Sequence, residues 1–470
     1  MNLLKNNITL YFGLALLVSS CAVGKKYSRP DTGIPANYRQ QAIVTADTVL
    51  LPWRTFFKDP QLIGLIEKAL SRNNEVAIAM MNMQQLDLAY KQARLGLLPT
   101  AELSVGVNRN WLSKNSLNGS LSQQFAGSSY MDDYSATLRV SWEADIWGKT
   151  KMQKDGARAD YFAQTENLSA LKTRIIVQVA QAYYNLLTLD EQLKVAERNI
   201  ELGDSTVSMI RLQFKSGQIN SLAVEQAEAQ KKTAELLVPL ALQNITMQEN
   251  ALSILCGSYP DSIQRTASLT GVMPAEVFPA GVPAQLLSRR PDVKAAEYAV
   301  VTANAKTGLA KAAMYPAISL TPSIGTNSYK FNTWFNLPGS LVKNVGASLT
   351  QPVFQKRSLR TAYETAQIEQ KKSALQFRQS VMTAVGEVSD AMARSVHASE
   401  RMVLVEKKTA SLEKSVKDAM LLYRSGMATY LEVITAQNNA LQNNLEAINI
   451  RLEKLNAVTD LYRALGGGVE

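Results

Sequence analysis

The chain has 470 residues, a formal net charge of +10, two cysteines and a single histidine, His397. One histidine leaves no material for a zinc site built on His and Cys clusters or for a Ser-His-Asp triad, and neither a P-loop nor a GxGxxG fingerprint is present. Lys and Arg are interleaved with Glu and Asp along helical stretches, which describes solvated helix faces and not a nucleic-acid patch. The reading is therefore of a non-enzyme without cofactor or metal.

Lys5 precedes a short apolar run, Ile8 to Val18, and the small residues Ser19 and Ser20 lead directly to Cys21. A basic start, a short apolar core and a small-residue cut describe a signal peptide, residues 1–20, and the run is too short for a membrane-spanning helix. The Cys after two small residues resembles a bacterial lipoprotein box, with Val18 where Leu is more usual. On this reading Cys21 is the lipid attachment site, carrying a diacylglycerol on its thiol and an acyl chain on its amine. More than one chain is what stable anchoring requires. Ala22 gives no inner-membrane retention signal, so the outer membrane is the expected destination. Residues 21–60, with Pro30, Pro35 and Pro52, read as an extended anchor segment.

Residues 61–257 and 284–470 are two copies of one plan. "SRNNEV" at Ser71 matches "SRRPDV" at Ser288, and Pro99 matches Pro316, both at an offset of 217. "FKSG" at Phe214 matches "YRSG" at Tyr423, and "LCG" at Leu255 matches "ALG" at Ala464, both at 209. That period is too long for a solenoid and indicates a duplicated half.

Each half opens with a helix, about Ile66 to Leu98 and Ala284 to Met314. A β-hairpin follows in each, at 100–147 and 317–354. Tyr134, Ala136, Leu138, Val140 and Trp142 alternate with Ser135, Thr137, Arg139, Ser141 and Glu143, an amphipathic strand. Leu103, Val105 and Val107 begin its partner, and "SKNSLNGSLSQQFAGSS" between them reads as a polar loop. The second copy repeats the alternation more weakly, through Ile318, Leu320 and Ile324, then Val345, Ala347, Leu349 and Val353.

Long helices follow, Lys149 to Phe214 and Lys356 to Arg424. The first carries an apolar stripe at Ile175, Val179, Ala182, Tyr183, Leu186, Leu189, Leu193, Ala196 and Ile200. A helix of that length extends about 100 Å at 1.5 Å per residue. Each turns at a tip, near 215–220 and 424–429, where Gly217 and Gly426 supply a backbone able to take positive φ. The chain returns through Ser221 to Cys256 and Thr429 to Leu465. A Pro-rich linker, 258–283, joins the halves.

Four amphipathic strands per chain cannot close a barrel, and an open edge in lipid leaves backbone groups unpaired. Several copies must share one barrel, with the helices continuing it as a tube. "LLSRRPDVKAAEYAVVTANAKTGLAKAAMYPAISL", Leu286 to Leu320, resembles the signature of the TolC-like outer membrane factors. "CAVGKKYSRP" after the lipobox is similar to their lipoprotein branch, the OprM/CusC/NodT-like outer membrane efflux proteins. The likeness covers essentially the whole mature chain.

The resemblance implies a mainly α fold with a transmembrane β part, in a homotrimer with a shared 12-stranded β-barrel and a 12-helix α-barrel tunnel. It implies the outer membrane channel of a tripartite efflux system in a Gram-negative bacterium, a passive exit duct with its tunnel in the periplasm. A periplasmic adaptor (membrane fusion) protein would meet the tip at Phe214, Ser216, Gly217, Tyr423, Ser425 and Gly426, and an inner-membrane pump of RND type would drive transport. The periplasmic gate falls on Glu432, Thr435, Leu431 and Ile434. Glu432 stands where the family carries a pore-facing Asp, but Thr435 replaces a second Asp and Ala428 a gate-locking Arg. One carboxylate ring without an Arg lock is expected, the closed tip being held mainly by apolar contact through Leu431 and Ile434.

Two alternatives differ in cargo, a duct for type I-like protein secretion and one for metal ions. Met80, Met81 and Met83 lie at helical spacing and read as packing. A third, a structural coiled-coil lipoprotein without a pore, leaves the paired hairpins unexplained. For Cys21, mass spectrometry of the mature N-terminus is expected to find the added acyl chains, which Cys21→Ala with a cleavable signal lacks; an unmodified Cys21 in the native protein refutes the assignment.

Overall fold

The computed structural model describes residues 23–39, 52–272 and 281–467. The signal peptide and Cys21 lie outside the described residues. Among those described, ten α-helices and four strands run in the order α1 (Trp53–Phe56), α2 (Pro60–Arg72), α3 (Asn74–Arg94), β1 (Thr100–Trp111), α4 (Leu117–Ala126), β2 (Tyr130–Glu143), α5 (Lys149–Lys215), α6 (Ser221–Leu255), α7 (Leu286–Arg289), α8 (Pro291–Ala312), β3 (Ala317–Ser328), β4 (Leu341–Thr350), α9 (Ser358–Arg424) and α10 (Tyr430–Ala464). The two long helices have 67 residues each. No described helix is long and apolar enough to cross a membrane.

The chain divides into two compact units. One comprises residues up to Arg29, Gln85–Phe162 and Tyr298–Leu375; the other comprises Pro30–Gln84, Ala163–Glu297 and Gln376 onward. The first unit holds the sheet, antiparallel throughout in the order β1-β2-β3-β4. Its register aligns the apolar positions read from the sequence. Leu103 faces Leu138 and Val105 faces Ala136; Leu138 faces Ile324 and Trp142 faces Leu320; Leu320 faces Ala347. Between the apolar rows run polar ones, such as Ser319 and Ser348, whose hydroxyls are 2.7 Å apart.

The segment between β1 and β2 corrects the polar-loop expectation, because ten of its residues form α4. Ser116 caps it, accepting from the Gly119 amide at 3.1 Å, and Gly127 ends it in the left-handed region at φ 65°. Both are ordinary helix-end signals, hidden in the sequence by the Ser- and Gly-rich composition around them.

The second unit holds the largest cluster of buried apolar residues among those described. The stripe predicted on α5 is realised: Ile175, Val179, Tyr183, Leu186 and Ala196 are buried. The described residues 52–60 of the segment 21–60 are less extended than expected. Trp53 and Phe56 form a helical turn, and both are buried with Phe57 in this core. Phe56 stacks on Tyr462 with ring centroids 4.3 Å apart. Asp59 then starts α2, accepting from the Gln61 amide at 2.8 Å ahead of Pro60. Its other oxygen accepts from the Tyr183 hydroxyl at 2.7 Å.

The single first helix expected in each repeat is two helices, and the break falls at the same repeat position. Buried Asn73 ends α2 and caps α3, its side-chain oxygen accepting from Glu75 N at 2.8 Å. Its amide donates to the Leu255 carbonyl at 2.9 Å, where α6 ends. In the second repeat Arg290 separates α7 from α8, and its Nη1 donates to the Ala464 carbonyl at 3.2 Å, where α10 ends. Each repeat thus ties its first helix to the last turn of its returning helix. A polar side chain terminates the helix at that joint because it serves orphan backbone groups.

The described first part of the linker is likewise pinned. Arg265 donates to Asp190 Oδ1 at 2.8 Å and to Glu249 Oε1 at 2.5 Å, while Leu269 and Val272 enter the core.

Arg290 is 4% exposed and contacts Asp292 Oδ1 at 2.9 Å and Glu387 Oε2 at 2.7 Å. Burial pushes the Asp292 carboxyl up, but the contacts from Arg290 outweigh it and hold the group below the ordinary aspartate value of 3.8. A depressed carboxyl adds stability above its unfolded value, and that stability is lost as pH falls through the folded one. We therefore expect Asp292→Asn to lower stability at neutral pH by about 1–2 kcal/mol, since Asp292 is partly solvent-screened. The gap from the parent should shrink below pH 3.8. Thermal melts followed by circular dichroism between neutral and acid pH check this; a gap independent of pH refutes it.

Candidate functional site

Two surfaces stand out, one in each unit. On the sheet, apolar side chains on one face are left uncovered by the described residues: Val105 is 63% exposed, Leu103 69%, Ile324 47% and Val345 79%. Water disfavours such a contiguous patch, which marks an interaction or membrane surface. Aromatic groups border it. Where β2 passes into α5, the Trp142 indole donates to the Leu97 carbonyl at 3.0 Å. The Trp147 indole donates to the Pro316 carbonyl at 2.6 Å and lies 4.9 Å from the Tyr315 ring. At the other end, Tyr134 meets Phe331 and Trp334 at 5.6 Å each. An apolar band between aromatic girdles is how a membrane-spanning sheet presents itself to lipid.

Sequence alternation alone missed one feature of this face. Arg109 and Asp132 are directly opposite in the register, on the same side as Leu103 and Leu138. The guanidinium donates to both carboxylate oxygens, at 2.5 and 2.8 Å, and lies 4.0 Å over the Tyr130 ring. Reading the two strands in register, and not each alone, was the signal that could have found it.

In the second unit the two tips share one backbone. Gly217 and Gly426 have φ of 76° and 75°. Gln218 N donates to Gln213 O at 2.9 Å and Met427 N to Leu422 O at 2.8 Å. These bonds close each long helix in a Schellman turn, which the glycines permit because they lack a Cβ. The Ser216 and Ser425 hydroxyls turn inward to helix carbonyls, Gln213 O at 2.9 Å and Leu422 O at 3.0 Å.

The side chains of the tips differ. Phe214 is 44% exposed, but Tyr423 is 4% exposed and packs with Val207, Ile210, Ala223, Ala227 and Val433. This corrects the expected contact surface: the Tyr423 ring fills the core between the hairpins and cannot offer its face to a partner. Its hydroxyl donates to Gln213 Oε1 on α5. About two turns into α10, Gln437 Nε2 donates to Thr206 Oγ1 of α5 at 2.9 Å in a buried setting. Burial pushes the Tyr423 phenol up, so it remains a donor at neutral pH. These two bonds link the second hairpin to the first.

The gate residues fall as follows. Leu431 is 55% exposed and Thr435 is exposed. Ile434 is partly buried against the same tip cluster, so part of its surface already has an intrachain partner. Glu432 is exposed, and its Oε2 accepts from the Thr429 amide at 2.6 Å and the Thr429 hydroxyl at 3.1 Å. This is the reach-back half of a capping box, a local role that sequence reading did not assign. Glu225 is exposed, while Glu228 pairs with Arg211 at 3.1 Å. Met80 and Met81 are exposed at 44% and 60%, and Met83 packs on the core.

Comparison with known proteins agrees with this geometry. The cation efflux system protein CusC of Escherichia coli O6:H1 is 28% identical over 468 residues, covering 98% of both chains. The probable outer membrane lipoprotein SilC of Salmonella typhimurium is 26% identical, covering 96% of each. The toluene efflux pump outer membrane protein TtgF of Pseudomonas putida is 28% identical, covering 98% of this chain and 97% of that one. Among solved structures, CusC superimposes with a TM-score of 0.85 at 27% identity, over 95% of this chain and all of that one. The open state of the MtrE outer membrane channel of Neisseria gonorrhoeae gives 0.84 at 26% identity, over 96% and 99%. The family model for outer membrane efflux proteins matches residues 65–258 and 282–467, and the chain belongs to that family.

Proposed function

We propose that three copies of this outer membrane efflux protein assemble into a passive exit duct for small molecules, the outermost part of a tripartite efflux system. The observation that carries this is the sheet: an exposed apolar face between aromatic girdles, with β1 and β4 each keeping one edge unpaired among the described residues. In lipid such edges must find partners, and further copies supply them. A lipid anchor on Cys21 accords with the lipoprotein relative SilC. The periplasmic adaptor meets the tips through exposed Phe214 and the small turn residues Ser216, Gly217, Ser425 and Gly426. An inner-membrane pump of RND type stands behind it.

The duct is closed at the tips by the links between hairpins. Tyr423 and Gln437 hold α9 and α10 against α5, over an apolar cluster to which Ile434 contributes. Glu432 supplies a ring of three carboxylates that favours cations at the entrance. Both hydrogen bonds of its cap use Oε2, which leaves Oε1 for ions.

Purified protein in a planar bilayer tests the reading, and absence of channels sinks it. Loosening the links is expected to open the entrance, so Tyr423→Phe with Gln437→Leu should raise single-channel conductance while copies still assemble. Conductance equal to the parent's refutes that gate. Glu432→Gln keeps an acceptor for the cap but removes the charge, so cation preference should fall and block by multivalent cations weaken, whereas Thr435→Ala changes little. Unaltered selectivity in Glu432→Gln places the charge filter elsewhere.

A further inference from the structure

The first unit carries a groove of about 600 Å³ that the duct reading does not use. One wall is the segment Gly24–Tyr27, and the others are the start of α5 and the middle of α8. The floor is apolar: Met152, Ala159, Phe162, Val301 and Ala305. Phe162 stacks on Tyr298 with centroids 5.5 Å apart.

The rim is cationic. Lys25, Lys26, Lys151 and Arg158 all line the groove and are exposed, against a single carboxylate, Asp155. Elsewhere on the helices cations take carboxylate partners, as in Lys231 with Asp204 or Arg401 with Glu453. These four hold no carboxylate among the described residues. Arg158 instead lies 5.3 Å over the Phe162 ring. The segment bearing Lys25 and Lys26 is fixed in place. Val23 N donates to the Trp147 carbonyl at 3.4 Å and Asn304 Nδ2 to the Lys25 carbonyl at 3.0 Å, while Asn304 Oδ1 accepts from Gln370 at 3.0 Å.

The groove adjoins the Trp147–Tyr315 aromatic pair, at the end of the sheet where β2 passes into α5. That end borders the apolar band, so on the duct reading the groove opens at the membrane surface facing the periplasm. Cys21 stands two residues before Val23, within about 7 Å of chain reach.

An apolar floor under unpaired cations at a membrane surface complements one kind of molecule. We infer that the groove binds an anionic glycerophospholipid of the inner leaflet, its phosphate among Lys25, Lys26, Lys151 and Arg158 and its glycerol and upper acyl carbons on Phe162, Met152 and Val301. This rests on the outer membrane placement in the duct reading. Basic pockets beside membrane segments hold anionic headgroups in this way, and the ammonium of a zwitterionic lipid would meet like charge.

Native mass spectrometry of the full-length lipidated protein tests this, after incubation with phosphatidylglycerol or phosphatidylethanolamine. Phosphatidylglycerol adducts are expected to survive activation that strips phosphatidylethanolamine. Each cation removed should weaken retention about fivefold, so Lys151→Gln with Arg158→Gln should lose most of the phosphatidylglycerol while bilayer conductance stays at the parent's level. Equal retention of the two lipids, or undiminished retention in the double variant, overturns the inference. So does a gain of one bound phosphatidylglycerol in Cys21→Ser, which would mean that the anchor's own acyl chain fills the groove. A protein that conducts but does not discriminate the lipids overturns this inference and leaves the duct reading intact.

Discussion

A backbone amide or carbonyl in hydrocarbon must find its hydrogen bond within protein, because lipid offers none and each failure costs several kcal/mol. Three ladders satisfy the inner edges of the four strands and leave the outer edges of β1 and β4 open. The duplication removes the difficulty. By repeat position β3 corresponds to β1 and β4 to β2. The ladder proposed between β4 of one copy and β1 of the next is therefore the same kind of pair as β2 with β3 inside the chain. An interface of that type is already built once within each protomer, with its register fixed by apolar rows such as Leu138 opposite Ile324.

The same duplication governs the helical unit, where a shared joint is made with different chemistry. Asn73 and Arg290 occupy one repeat position and reach equivalent carbonyls, Leu255 and Ala464. A neutral amide serves the first joint and needs nothing more. The guanidinium at the second is buried, and a buried charge is tolerated only with partners. Asp292 and Glu387 supply them, with Arg463 also 3.5 Å from Glu387. The second repeat has thus acquired a charge network that draws α8, α9 and α10 together at one point.

Much of the architecture was legible because its signals are periodic. Alternation gave the strands to within a few residues, and the stripe from Ile175 to Ala196 gave the buried face of α5. What escaped depends on single side chains. The breaks at Asn73 and Arg290 carry local signals, an Asn that caps α3 and Pro291 at the start of α8, but the joints these side chains make, to carbonyls 182 and 174 residues away, are tertiary and no local pattern encodes them. Helix α4 was hidden by a composition typical of loops, although Ser116 and Gly127 are its caps. At the tips the turn itself was legible from glycine, but the fate of each aromatic was not, since Phe214 and Tyr423 hold equivalent positions and only packing separates them.

That separation has a physical cause. Between two hairpins ending in the same turn there is one apolar cluster, and Tyr423 fills it beside Val433 and Ile210. A second ring of equal size in the same space would have to displace these side chains, at the 1–3 kcal/mol typical of overpacking. Phe214 is consequently left exposed at its own tip, without a hydroxyl to require a partner. Tyr423, once buried, must satisfy its hydroxyl, and Gln213 of the other hairpin accepts it. The tips therefore have unequal parts despite their common backbone: the first presents an apolar ring to its surroundings, and the second is held to the first by a bond whose loss leaves a buried polar group unpaired. A duplicated turn can in this way leave one aromatic ring exposed and hold the other in a core without any change in its backbone.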